Sequence, residues 1–356
     1  MSDVRIAYYA HHHGSGHVRR ALEIARHLHG PITIFTSAAP PDDASSTVDI
    51  VHLPIDVDGR EHEYAVSGLH YAPLAVAGIA QRMAVMADWF RDNWPCLLIV
   101  DVSVEVALLA RLCAVPTVYI RQNGMRTDLP HMLAYSTASL LLAPFPESFA
   151  QARTNDEWRE KTLYSGFISR FDSCAMTDAS VPQTVAVLIG HGGTALTAAH
   201  LRAAAEATPD WQWTVLGPVR DVPLYDYPEN LRFMGVVASP GDILRQSYVV
   251  IGSAGDNVVA EMASLQARFI CYADERPFNE QIATSEILER LGLAVYCRAW
   301  PEAAAWPALL ARAAAFERDA WQAHVAHGAR TAATAIEQCA ERVWRETLSR
   351  PACSVS

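Results

Sequence analysis

The stretch VVIGSAGDNVVAEMASLQARFICYADERPFNEQ, residues 249–281, decides how the chain is read. A short apolar run at 248–251 stops at Gly252-Ser253-Ala254-Gly255, and residues 256–265 then carry the periodicity and alanine content of a helix. Strand, small-residue turn and helix N-terminus in that order make an anion site. The free N–H groups of the first turn and the positive end of the helix dipole face one point, which Gly255, Asp256 and Asn257 border. Glu261 follows about one and a half turns into the helix, within reach of a ribose hydroxyl if a nucleotide diphosphate fills the turn. A second strand at 267–272 opens into a polar loop at 273–281. Its Arg276, Asn279, Glu280 and Gln281 would converge on whatever hangs from the phosphate.

Outward from there, the same plan recurs along the chain. Residues 4–10 (VRIAYYA) read as a buried strand that runs into His11-His12-His13-Gly14-Ser15-Gly16-His17. An amphipathic helix at 18–28 follows, with Val18, Leu22, Ala25 and Leu28 on one face. Strands are expected at 31–36, 48–53, 96–101, 116–120 and 139–143, the last of them closing the first half. Helices are expected at 73–90 and 105–113. The strand at 96–101 ends on Asp101, and that at 116–120 opens into Arg121-Gln122-Asn123-Gly124. After a break around 165–182 the pattern restarts: a strand at 184–189, the glycine turn Gly190-His191-Gly192-Gly193, and a helix at 194–207 with Thr194 as its cap. Further strands fall at 211–216, 231–234 and 248–251, and a terminal helix at 331–348. Short strands alternating with helices imply parallel sheets covered on both faces. The expected domains are 1–165, 166–330 and a terminal helix and tail at 331–356.

Gly252-Ser253-Ala254-Gly255 with Glu261, followed by Arg276-Pro277-Phe278-Asn279-Glu280-Gln281, resembles the donor-binding half of GT-B glycosyltransferases. The nearest groups are the MurG-like enzymes of family 28 and the macrolide and plant glycosyltransferases. The resemblance implies an α/β fold of two Rossmann-like doubly wound domains facing across a cleft, with the terminal helix crossing back to the first. It implies that Ser253, Ala254 and Gly255 hold a diphosphate, Glu261 the ribose, and Asn279, Glu280 and Gln281 the sugar. Asn279 stands where an acid is common in that family. Backbone groups near 233–237, Val236 among them, would recognise the base. The N-terminal Gly14-Ser15-Gly16-His17 is similar to the loop that carries a histidine beside the reacting centre.

Glycosyl transfer needs a site for the leaving diphosphate, a base for the acceptor and a cleft that excludes water. The loops at 190–194 and 253–257 supply backbone donors for the first, with Gly190, Gly192, Gly193 and Thr194 opposite Ser253 and helped by Arg276. His17 is the candidate base, oriented by Asp101; the bland alternative is a histidine that only caps its helix. His13 is a candidate ligand-facing residue beside Gly14, Ser15 and Gly16, and Asn123 lies on a neighbouring loop. No metal or other cofactor is expected. No acidic pair stands near a strand end to hold magnesium, and three consecutive histidines on an extended backbone cannot all aim at one ion. The nucleotide sugar is then a co-substrate, UDP-linked by preference, and the acceptor a small molecule or lipid-linked alcohol.

Other classes fit less well. Gly190-His191-Gly192-Gly193-Thr194-Ala195 matches a dinucleotide fingerprint by letter, yet the strand at 211–216 ends in Gly217-Pro218 where the ribose-binding acid should stand. A nucleotide-sugar hydrolase, a hydrolysing epimerase or a non-catalytic sugar-nucleotide binding protein remain alternatives. A formal charge of -11 argues against nucleic acid. The seven cysteines never form a CxxC pair, so neither a disulfide framework nor a zinc site is indicated, and a cytoplasmic setting is expected. No apolar run reaches the length of a membrane span, which leaves peripheral contact with a membrane as the only kind expected.

Overall fold

The computed structural model describes residues 4–12, 16–39, 47–59, 66–151, 156–172, 180–190, 194–222, 227–274, 276–325 and 327–349. One sheet takes β1 (Arg5–Ala10), β2 (Ile32–Thr36), β3 (Val48–His52), β4 (Cys96–Asp101), β5 (Thr117–Ile120), β6 (Leu140–Ala143) and β7 (Thr162–Tyr164), in the order β3-β2-β1-β4-β5-β6-β7. A second takes β8 (Val181–Leu188), β9 (Gln212–Leu216), β10 (Leu231–Gly235), β11 (Ser247–Ser253), β12 (Phe269–Tyr272) and β13 (Ala294–Cys297), in the order β10-β9-β8-β11-β12-β13. Every pairing is parallel. All six residues of β4 and all five of β2 are buried, as continuous apolar runs must be when helices cover both faces of a sheet.

The covering helices are α1 (Gly16–Ala25), α2 (Ala77–Asp92), α3 (Val104–Leu112), α4 (Leu129–Thr137) and α5 (Asp156–Glu160) in the first half. The second half carries α6 (Ala198–Glu206), α7 (Gly241–Gln246), α8 (Asp256–Leu265), α9 (Glu280–Arg290) and α10 (Trp306–Ala314), and α11 (Gly328–Leu348) ends the described chain. α11 returns to the first sheet. Its Ala329, Ala332, Ala333, Ile336 and Cys339 share one core with Tyr8, Val18, Ala21 and Ile24. The alanines let it approach α1 closely, and Trp344 Nε1 donates to the Cys96 carbonyl at 3.0 Å.

In both sheets the strand order reverses beside the first strand, between β1 and β4 and between β8 and β11. Ligands of open α/β sheets bind at that reversal, outside the carboxyl ends of the strands. β1 leads there into the segment that holds His17, β4 ends there on Asp101, β8 leads to Gly190 and β11 ends on Ser253.

Several local expectations are corrected. β7 extends the first sheet beyond the strand at 139–143, and its three residues are too few to show a period. The helix expected from Thr194 begins at Ala198, with Thr197 as its N-cap residue. Thr194 instead accepts the Leu196 N–H at 3.2 Å, a local turn ahead of the helix. Glu280 and Gln281, read as loop, form the first turn of α9.

Ile336 has no exposed surface and is wedged between α1 and the sheet. Ile336→Ala is expected to cost about 3 kcal/mol of unfolding free energy. Urea denaturation checks this, and a loss below about 1 kcal/mol would mean that α11 does not share the core.

Candidate active site

A cavity of about 910 Å³ lies between the two sheets. On its first wall, His17 at the start of α1 brings Nδ1 to 3.0 Å from Asp101 Oδ1. Asp101 is fully buried and does not itself reach the cavity wall. Tyr8 OH donates to its Oδ2 at 2.7 Å and Arg20 Nη1 to its Oδ1 at 3.3 Å. Burial works against its charge, yet Arg20, His17 and the Tyr8 hydroxyl hold the carboxyl well below the usual carboxylate range. An ionised carboxylate 3.0 Å from Nδ1 favours the tautomer with its proton on that nitrogen, which leaves the lone pair on Nε2.

On the opposite wall stands α8. Ser253, Gly255, Asp256, Asn257 and Glu261 all line the cavity. Ala254 does not: its side chain is fully buried in the core beneath the turn, so only its backbone could serve a ligand. Asp256 accepts from Arg20 Nη2 at 3.4 Å and from Gln122 Nε2 at 3.3 Å. Glu261 is 7% exposed and ion-paired to Arg170 through Nε at 2.8 Å. Burial raises its carboxyl pKa while Arg170 and Arg19 oppose the rise.

The remaining candidates divide. Gly16, Gly190, Thr194 and Val236 line the cavity, as do Arg276, Glu280 and Gln281. Gln281 Oε1 accepts the Asp274 N–H at 2.9 Å, and Thr194 donates to Asp274 at 3.4 Å. Asn279 is exposed, is left-handed at φ 54°, and is not on the cavity wall. Asn123, 4% exposed, is also off the wall and offers its carbonyl to Arg126. His13, Gly14, Ser15, Gly192 and Gly193, together with His191, lie outside the described residues.

Among the described residues two clusters have metal-binding composition. His11, His12 and Asp56 form one, and the rings of His11 and His12 stack at 4.7 Å. β1 ends at Ala10, and past it His11 and His12 no longer point to opposite sides; the third histidine, His13, lies outside the described residues. Asp56 is paired there with Arg82. The other cluster is His70, Asp128 and His131, with both rings 2.7 Å from the Asp128 carboxylate. Arg126 Nη1 lies 3.1 Å from His131 Nε2. A guanidinium only donates, so Nε2 is the acceptor and Nδ1 carries its proton toward Asp128. That tautomer opposes metal ligation through Nδ1.

Sequence reading missed Tyr8, Arg20, Gln122, Arg126 and Arg170. One signal was present: Arg20 follows His17 by three residues and so shares its helix face. Arg126 and Arg170 sit in connecting segments whose periodicity says nothing about direction.

Burial lowers the His131 pKa from 6.5 to about 4, with Arg126 adding to the effect and Asp128 opposing it. A neutral ring in the fold contributes stability that is complete above about pH 6.5 and lost as the pH falls toward 4. His131→Asn is expected to flatten the pH dependence of Tm across that window, and an unchanged slope would contradict the assignment.

No protein-family model matches the sequence, and no curated protein matches it either. Solved structures do match in fold. The calicheamicin glycosyltransferase is 17% identical with TM-score 0.63, over 99% of this chain and 100% of that one. MurG of Acinetobacter baumannii is 14% identical with TM-score 0.62, over 94% and 99%. Phytolacca americana UGT2, solved with UDP-2-fluoro-glucose and pterostilbene, is 14% identical with TM-score 0.63, over 96% and 95%. The chain therefore has the GT-B fold, two Rossmann-like domains about a cleft with the terminal helix returned to the first.

Proposed function

We propose that the protein transfers a sugar from a nucleoside diphosphate sugar to a hydroxyl acceptor, with inversion and without a metal. The observation that carries this reading is that His17, paired with Asp101 at 3.0 Å, lines the same cavity as the α8 N-terminus and Glu261. A base and an anion site on one cavity are what a single displacement needs.

In the proposed reaction His17 Nε2 takes the proton of the acceptor hydroxyl as its oxygen attacks the anomeric carbon. The new C–O bond forms on the face opposite the departing phosphate oxygen, which leaves with the bonding electrons. The resulting diphosphate charge meets the first-turn N–H groups of α8 and the dipole behind them. Asp101 stabilises the imidazolium that forms, and Glu261 takes the ribose hydroxyls in exchange for Arg170. UDP is the favoured nucleotide, in keeping with the ligand of the Phytolacca americana neighbour. The wall near Tyr9, Tyr71 and Met83 is the acceptor side.

The test is a thermal-shift and product assay against UDP-, dTDP- and GDP-sugars with EDTA present and no acceptor. Stabilisation by one donor without its consumption is expected. Rapid release of free sugar would replace the transferase with a hydrolase, and no response to any donor would overturn the reading. His17→Ala is expected to lower turnover about 10²- to 10⁴-fold while donor binding persists.

A further inference from the structure

The cleft is bridged at a segment to which the donor reading assigns nothing. After β5 the chain crosses toward the second domain, where the Met125 N–H donates to the Phe278 carbonyl at 2.7 Å. Gly124, at φ +105°, lies so near that a Cβ there would stand 2.6 Å from the same carbonyl oxygen. Phe278 and Asn279 are themselves left-handed, at φ 62° and 54°, which non-glycine residues hold only where surrounding contacts impose it.

Beside this backbone contact stands Arg126, with 9% of its side chain exposed. Its Nε donates to the Asn123 carbonyl at 3.1 Å, Nη1 to His131 Nε2 at 3.1 Å, and Nη2 to both Gln122 Oε1 at 2.9 Å and Glu280 Oε2 at 2.8 Å. The Phe278 ring packs 5.0 Å from the guanidinium. His131 is in turn fixed by Asp128. A guanidinium so held has one orientation, and among the described residues Glu280 is its one hydrogen-bond partner from the second domain, beside the Phe278 ring.

We propose that Arg126 is a positioning residue of the donor-sugar subsite: anchored in the first domain, it fixes the Glu280 carboxylate of the second, so that a neutral polyhydroxyl sugar is recognised only across the closed cleft. The proposal rests on the donor site put forward above. Glu280 faces Asp256 on α8, Arg20 and His17 on α1, and Arg126 itself. Burial and Asp256 push its pKa up to about 7, and Arg126 opposes them. Arg126 keeps that pKa from rising further, so the carboxylate ionises as the pH passes neutrality; ionised, it accepts sugar hydroxyls, and protonated, it loses part of that capacity. The occupied guanidinium has little left for a carboxylate on the sugar, which selects neutral hexoses over uronates.

The experiment compares two ligands by calorimetry: the nucleotide sugar that stabilises the protein most in the donor panel, and its nucleoside diphosphate alone. Arg126→Met and Glu280→Gln are each expected to weaken the sugar nucleotide about tenfold and the nucleoside diphosphate less than about twofold, with little further loss in the double variant. Arg126→Lys is expected to recover part of the loss. The acid limb of sugar-nucleotide affinity is expected to move to higher pH in Arg126→Met and to vanish in Glu280→Gln. Equal losses for both ligands, no loss, or additive losses would overturn the proposal. If the wild-type protein binds neither ligand, the donor site itself is wrong and the proposal falls with it.

Discussion

The buried guanidinium of Arg20 is the interaction on which the cleft depends. It lies between Asp101, at the end of a first-sheet strand, and Asp256, at the start of a second-domain helix. Two carboxylates facing each other in a dry crevice would repel, and a single carboxylate buried without a partner would be costly. Arg20 satisfies both, and its own pKa rises further because the Coulombic pull of Asp101 and Asp256 outweighs burial. Removing one partner from such an arrangement leaves an uncompensated buried charge, so the proposed base and the proposed anion site are bound into one electrostatic unit.

The same logic repeats along the cleft. Arg170 meets Glu261 and Arg126 meets Glu280, so with Asp256 three acids of the proposed donor wall each carry an arginine that belongs to the first domain or to the chain joining the two. A nucleotide would enter by exchanging the Arg170–Glu261 pair for its ribose hydroxyls, while the Arg20–Asp256 and Arg126–Glu280 pairs stay in place. An exchange of one compensated pair for another changes the free energy far less than burial of a new charge, which suits a site that must also release its product. His17 gains from this order, because its Nδ1 partner is already ionised and immobile before any ligand arrives.

Much of the architecture could be read from residues. The runs at 96–100 and 248–251 are apolar on both faces, as a parallel sheet covered on both sides requires, and the turn before α8 announces a helix N-terminus by its small residues. His17, Asp101 and Glu261 were legible because a strand end or a helix start fixes where a side chain points. What stayed illegible depends on the meeting of the two halves. Glu280 and Gln281 are polar residues after a polar stretch, and nothing in that pattern says that a left-handed Phe278 and Asn279 turn the chain straight into α9. Arg20 looks like the polar face of an amphipathic helix until a second domain is set against it. Arg126, His131 and Asp128 sit in a connection with no period, so their convergence on Glu280 follows from long-range packing alone.

The most direct test of the account is a crystal structure of the protein with a bound nucleoside diphosphate. The account predicts the diphosphate against the backbone N–H groups of residues 253–257, the ribose hydroxyls on Glu261, and Arg170 displaced from that carboxylate. A nucleotide bound elsewhere, or a Glu261 that keeps Arg170 while the nucleotide is in place, would contradict it.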